Sequence, residues 1–280
     1  MQKTVVVIPT YNEARNLPIM AAELWALQIP GLSLLVVDGG STDGTDQIAD
    51  ELAERRPDEL TVLHLSARGG LRRAYLAAFK WTLARDVDRV VQMDCDFSHA
   101  PRFVPQLLEA SRDADLVVGS RYVTGGKLDS RMGTARYLQS WWANEVYARL
   151  ILNLRVQDVT SSFRCWQTEA LSRIDLDAIN SNGYSFQIEM AYVAEKLSYK
   201  IVEIPIHHEE RRVGRSKLNL SAKMEAAWRT WEILWRYRNY TEAPINSRPA
   251  GAAHPTDLAS RIDAVDQANG ALNGHEPPSD

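Results

Sequence analysis

Two carboxylates one residue apart, Asp94 and Asp96, sit in the stretch Val90-Val91-Gln92-Met93-Asp94-Cys95-Asp96-Phe97-Ser98-His99, just after a short apolar run that reads as the end of a buried strand. In open α/β sheets, ligands bind beyond the carboxyl ends of the strands. Two acids there, with the Ser98 hydroxyl close behind, suit a hard divalent cation that keeps several waters and takes phosphate oxygens. On its own, Asp-x-Asp is equally an acidic turn. Asp38 also closes an apolar run, so it points into the same crevice, either accepting hydrogen bonds from a ribose or base or capping the helix that follows. At the end of the first run, Pro9-Thr10-Tyr11-Asn12-Glu13 adds an aromatic face and a third acid to that rim.

The positive groups lie further along. Arg121 follows Gly119-Ser120, and Arg211, Arg212, Arg215 and Lys217 crowd one short loop that Gly214 lets bend. Such a cluster is either a solvated face or a phosphate clamp, because guanidinium forks match phosphate oxygens. Glu189 is an acid within an otherwise apolar helix start; a buried carboxylate needs a partner, and a neighbouring Arg is the simplest one. His99, His207 and His208 lack metal-ligand spacing and read as structural.

These groups need a scaffold, and the hydrophobic pattern supplies one. Apolar runs at 4–9, 34–38, 60–65, 89–94 and 115–118 alternate with helical spacing at 16–26, 46–54, 71–84 and 101–110. That alternation predicts an α/β fold with a doubly wound, mostly parallel sheet and helices on both faces. After Gly119 the rhythm changes. A helix is expected over 136–152, a loop or short strand over 158–166, and a late strand over 201–206. Leu220, Met224, Trp228, Trp231 and Trp235 then recur at helical spacing among Lys223, Arg229, Arg236 and Arg238. This is either a core stripe or an amphipathic helix lying in a membrane interface. Beyond about 243 the chain lacks aromatics and is rich in Ala, Pro, Gly, Asn and Asp, the composition of a disordered tail.

Composition narrows the function classes. A net charge of −4 over 280 residues gives no global case for nucleic-acid binding. Two cysteines imply no disulfide framework and point to a reducing compartment. The chain opens almost at once on strand-like sequence, so no signal peptide is expected, and no apolar run is long enough to span a bilayer.

Taken together, several stretches resemble the family 2 inverting glycosyltransferases, and within them the polyprenol-phosphate (dolichol-phosphate) mannosyltransferases. They are Val7-Ile8-Pro9-Thr10-Tyr11-Asn12-Glu13, residues 38–45, residues 92–99, Gly119-Ser120-Arg121-Tyr122, residues 158–164, residues 183–189 and residues 214–218, in the family's order. The resemblance implies a GT-A fold, Mg²⁺ or Mn²⁺, a nucleotide-sugar donor (GDP-mannose by default) and a polyprenyl or dolichyl phosphate acceptor. Carried over by position, Pro9, Tyr11, Glu13, Val36 and Asp38 would hold the nucleoside. Asp94, Asp96 and Ser98 would hold the metal, with Cys95 beside the sugar nucleotide. Arg121, Arg211 and Lys217 would hold donor phosphates and, with Asp96, carry catalysis; Arg121, Arg136 and Ser140 would hold the acceptor phosphate. Arg136 and Ser140, four apart on the expected helix, share one face.

The implied organisation is a catalytic domain over 1–217, a membrane-interface helix over 218–242 and a tail over 243–280. The implied location is cytoplasmic, peripheral on the cytoplasmic face of a membrane, with a separate anchoring subunit as a further partner. Three stretches depart from the family: Gly39 for its usual Asp, Arg72-Arg73 within its usual Gly-Leu-Gly run, and Ser162 for its usual Gly. Two rivals follow. One is a family 2 transferase with another donor (UDP-glucose) or a hydroxyl acceptor; the other is a nucleotide-sugar-binding module without turnover.

Overall fold

The computed structural model describes residues 2–66, 69–127, 148–208 and 220–240, the last with side chains from residue 228 onward. Its centre is a seven-stranded sheet: β1 (Thr4–Thr10), β2 (Leu32–Asp38), β3 (Leu60–His64), β4 (Arg89–Gln92), β5 (Leu116–Ser120), β6 (Arg164–Gln167) and β7 (Ile201–Pro205). The spatial order is β3-β2-β1-β4-β6-β5-β7. All neighbours run parallel except β6, which is antiparallel to both β4 and β5. Chain order reverses at β1: β2 lies on one side and β4 on the other. That is the switch point where a crevice opens beyond the strand ends.

Helices α1 (Leu17–Ala26), α2 (Thr45–Arg55), α3 (Gly70–Leu83), α4 (Val104–Ala110), α5 (Arg149–Leu152), α6 (Thr168–Ser172), α7 (Gly183–Lys196) and α8 (Leu220–Arg236) cover the sheet. Val6 and Ile8 pack with Leu17, Met20, Leu24 and Leu107 on one face. Val5 and Val7 pack with Tyr75, Phe79, Phe186 and Met190 on the other. Both faces are covered, so the strands read as continuous apolar runs rather than alternating ones. Each fully buried Val or Leu contributes about 1.5–3 kcal/mol, and together they anchor the strand ends that carry the acids.

Several expectations change in detail. The helix expected over 101–110 starts as a 3₁₀ turn, Pro101–Phe103, and becomes α-helical only at Val104, with Pro105 tolerated in the first turn. The stretch 158–166 is a loop followed by β6, wedged between β4 and β5, where Trp166 Nε1 donates to Gln92 Oε1 at 2.7 Å. Of the helix expected over 136–152, residues 136–147 lie outside the described residues; α5 is its end, closed by Asn153 in the left-handed region (φ 53°). The tail over 243–280 also lies outside them.

The C-terminal helix packs one face on the domain and exposes the other. Thr230, Ile233 and Tyr237 are buried, with Leu234 half-buried beside them against α7 and α5. Trp228, Trp231 and Trp235 point the other way and are 73, 53 and 69% exposed. Leu234 thus faces the domain rather than the Trp side, and residues 220 and 224 of the expected stripe have no described side chains. Docking rests on Glu189, which is fully buried on α7. It accepts from Ser181 N (2.7 Å), Asn180 N (3.2 Å), Arg236 Nη1 (3.2 Å) and Tyr237 OH (2.8 Å). The partner expected for Glu189 is thus an Arg delivered from 47 residues away. No helix among the described residues is long and apolar enough to cross a membrane.

Candidate active site

The rim beyond β1 and β2 is built from two interlocked loops. Asn12, with φ 58°, donates its backbone N–H to Ser41 Oγ (2.9 Å) and accepts from Thr42 N through its side chain (2.8 Å). Glu13 N donates to Thr45 Oγ1 at 2.8 Å, and the Glu13 carboxylate accepts from Asn16 Nδ2 at 2.6 Å. Asp43 accepts from Thr45 and from Ala14 N; burial pushes its carboxyl up, but these hydrogen bonds outweigh it and leave it below the usual range. Pro9 and Tyr11 are half-buried on this rim, and Val36 is fully buried beneath it.

Asp38, only 1% exposed, serves its own loop. Its carboxylate accepts from Thr10 Oγ1 (3.2 Å), Ser41 Oγ (2.5 Å), Gly40 N (3.0 Å) and Ser41 N (3.0 Å). It fixes the shape of the floor on which a nucleoside would rest. The departure at Gly39 is not steric: an added Cβ would meet only Thr10 O at 3.4 Å and the Tyr11 ring at 4.0 Å. What Gly39 removes is a charge, not a clash. The Arg72 departure is absorbed elsewhere, since Arg72 binds Asn182 Oδ1 (3.1 Å) and Ile179 O (3.2 Å). Arg73 is buried and folds against Gly69, where a Cβ would meet its side chain at 2.0 Å.

Beyond β4, Asp94 is 28% exposed at its side chain and Asp96 is buried. Asp96 Oδ1 accepts from Ser98 N (3.0 Å), closing a turn in which Phe97 takes φ 65°, a conformation rare for an aromatic residue. The Asp94 N–H donates to His99 Nδ1 (3.0 Å), which fixes that ring's tautomer, and the ring stacks on Phe163 at 4.9 Å. Burial drives the Cys95 thiol well above its usual range, and Glu13, Asp96 and Asp94 add to it. Acids from two separate sequence stretches therefore act on one buried cysteine.

The donor set of Asp94, Asp96 and Ser98 is all hard oxygen, which fits Mg²⁺ or Mn²⁺. No group of three or more His, Cys, Asp or Glu side chains forms a complete protein cage among the described residues. Two carboxylates with open positions are what a cation shared with substrate phosphates requires.

Arg121 lies beside this centre, but its fork is engaged. Nε and Nη2 pair with Asp158 at 2.7 and 2.6 Å, Nη2 also reaches Thr160 Oγ1 (2.8 Å), and Asp158 accepts from the Arg121 backbone N–H (2.9 Å). Burial would raise the Asp158 carboxyl, but Arg121 outweighs it and holds it below the usual range. Glu203 pins the same loop from β7, accepting from Gln157 N and Asp158 N, and burial raises its carboxyl. Burial, then Arg121 and His99, push His208 down to about 3, so it is a neutral ring at neutral pH. The remaining expected phosphate ligands, Arg136, Ser140, Arg211 and Lys217, lie outside the described residues.

Three residues that spacing did not single out complete the site: Asp158, Tyr75 and Ser162. Tyr75, fully buried on α3, reaches Asp94 Oδ1 at 3.4 Å, and Ser162 Oγ donates to Asp94 Oδ2 at 2.9 Å. The only sequence signal for Ser162 was its departure from the family's glycine.

Comparison with known proteins places the fold in a family. Residues 5–175 match the profile described as Glycosyl transferase family 2. The chain is 42% identical over 232 residues to the polyprenol monophosphomannose synthase of Mycolicibacterium smegmatis, covering 82% of this chain and 86% of that one. It is 44% identical over 217 residues to the undecaprenyl-phosphate mannosyltransferase of Micrococcus luteus, covering 78% and 88%. Among solved structures, glucosyl-3-phosphoglycerate synthase from Mycobacterium tuberculosis, in complex with Mn²⁺, uridine diphosphate and glucosyl-3-phosphoglycerate, superposes with a TM-score of 0.61 at 21% identity, covering 84% and 80%.

Proposed function

The chain belongs to Glycosyl transferase family 2 and is a glycosyltransferase of the GT-A fold, and from that premise we propose that it transfers mannose from GDP-mannose to a polyprenyl monophosphate with inversion. The observation that carries this reading is the pairing of β1 with β4 at the switch point of the sheet, which sets the loop of Glu13 beside the Asp94-Cys95-Asp96 turn, in a chain whose relatives are named for polyprenol-phosphate mannosyl transfer.

Asp94 and Asp96 would hold Mg²⁺ or Mn²⁺, whose contribution is to neutralise charge on the departing diphosphate. Tyr11 and the loop shaped by Asp38 would seat the nucleoside. A phosphomonoester acceptor, with a second pKa of about 6, is already anionic near neutral pH and needs little help from a base. Catalysis then rests on positioning and charge. Arg121 is fixed by Asp158, so its part is to orient the loop 158–163 and offer its remaining edge. The cations that hold the phosphates would be Arg136, Arg211 and Lys217, with Ser140 beside the acceptor. Attack from the face opposite the diphosphate turns an α-linked donor into a β-linked lipid phosphosugar.

The test is product analysis with undecaprenyl phosphate, Mn²⁺ and either GDP-mannose or UDP-glucose. A mannosyl lipid phosphate formed only with GDP-mannose supports the reading. Glucosyl product from UDP-glucose would replace the donor. No product from either would favour the binding module.

The partner surface we infer for α8 is the membrane that holds the acceptor. Trp228, Trp231 and Trp235 form one exposed face on a helix docked by its opposite face, and Arg238 stacks on Trp235 at 5.2 Å. Trp residues favour the headgroup level. Replacing Trp231 and Trp235 with Ser is expected to weaken binding to phosphatidylglycerol vesicles about tenfold or more, the equivalent of ~1.4 kcal/mol. The melting temperature should hold, since neither ring is in the core. Unchanged vesicle binding would leave a protein anchor as the alternative partner.

A further inference from the structure

Asp94 is gripped at both carboxylate oxygens by hydroxyls from two different elements. Tyr75, within α3, reaches Oδ1 at 3.4 Å, and Ser162, in the loop entering β6, donates to Oδ2 at 2.9 Å. The loop that delivers Ser162 is itself fixed. Ser161 Oγ donates to Gly119 O (2.7 Å) and accepts from Phe163 N (3.3 Å), while Asp158 at its start is locked to Arg121. Ser162 is 8% exposed, and its neighbour Phe163 stacks on the His99 ring that receives the Asp94 N–H. Backbone and carboxylate of Asp94 are therefore both held from the 158–163 loop side.

A carboxylate oxygen can accept a hydroxyl proton and bind a cation at once, so hydroxyl donors can orient Asp94 toward a cation. Partners that orient a metal-binding carboxylate typically govern affinity by about 10–100-fold. We propose that Ser162 is a positioning residue for Asp94: its hydroxyl sets the carboxylate plane presented to a divalent cation, a contact that the glycine usual in this family cannot make. The inference rests on the reading of Asp94 as a cation ligand. It deepens that reading by giving the β6 loop a role in cation affinity.

The test is Mn²⁺ binding to the full chain, followed by the electron paramagnetic resonance signal of free Mn²⁺, with GDP and in parallel with UDP present. Ser162→Ala and Ser162→Gly should raise the Mn²⁺ dissociation constant about tenfold. Ser162→Thr, which keeps the hydroxyl, should restore tight binding. The melting temperature without metal should change little across the three variants. In transfer assays the Mn²⁺ needed for half-maximal rate should rise in the Ala variant, while the rate at saturating Mn²⁺ recovers. Equal Mn²⁺ affinity in wild type and Ser162→Ala, or failure of Ser162→Thr to rescue, overturns the positioning role. If instead wild type and Asp94→Asn bind Mn²⁺ alike, the cation reading of Asp94 itself has failed, and that outcome is read from the same titration.

Discussion

Replacing Asp96 with alanine is expected to reduce transfer by about a thousandfold or more, roughly 4 kcal/mol of transition-state stabilisation at ~1.4 kcal/mol per tenfold. The carboxylate lies just beyond the end of β4, next but one to Asp94, so its loss removes charge where the proposed cation and diphosphate would be held. The fold should survive. Asp96 accepts from Ser98 N, a hydrogen bond worth about 1 kcal/mol. Asp96→Asn is the cleaner variant, because the amide oxygen can still accept from Ser98 N while the charge is gone. Both variants should retain a cooperative thermal transition close to that of wild type and lose mannosyl lipid formation. Wild-type turnover in Asp96→Asn, or equal wild-type activity in EDTA and in Mn²⁺, would sink the assignment.

Much of the acid side of the site was legible in the chain. Strands covered on both faces must be apolar throughout, so β1, β2 and β4 announce themselves, and an acid directly after such a run has only one place to go. That logic located Asp38, Asp94, Asp96 and Glu13 on one crevice without a contact being known. It did not reveal what each carboxylate already binds. Asp38 looks free in sequence, yet four donors from its own loop and from Thr10 occupy it.

The other half of the site depends on pairings far apart in the chain. β6 is four residues long and lies antiparallel between two strands that precede it by many tens of residues, so its pattern alone cannot separate it from a loop. Its placement brings Ser162 to Asp94 across 68 residues, and the loop before it brings Asp158 to Arg121 across 37. Glu189 shows the intermediate case. Chemistry dictated that a buried acid needs a partner, but only packing could make that partner Arg236 on the last helix. The same packing turned an apparent choice, core stripe or exposed stripe, into a helix that is both. Thr230, Ile233 and Tyr237 face in, and the three Trp residues face out.

Asp158→Asn is expected to cost about 3–5 kcal/mol, because it leaves the Arg121 guanidinium buried without its counter-charge. Asp158 is fully buried and accepts both the Arg121 fork and the Arg121 backbone N–H, so water cannot replace it in the folded state. The complementary variant, Arg121→Met, makes a sharper test through pH. In wild type, burial works against the Asp158 charge, but Arg121 outweighs it and the folded carboxyl lies below 3.8. The stability from this pair is therefore fully present above that value and lost only as pH falls through the lower folded pKa. Without Arg121, burial is the first cause left standing, and the folded carboxyl should move above 3.8. The folded variant then binds the proton more tightly than the unfolded chain does, so its stability falls as pH rises from about 4 toward 7. His208, which Arg121 also pushes down, is replaced by Gln in both proteins, and groups that feel neither Arg121 nor Asp158 cancel in the difference. Urea midpoints measured across that range should show the gap between wild type and Arg121→Met widening with pH, whereas parallel curves would mean that Asp158 is not held by Arg121.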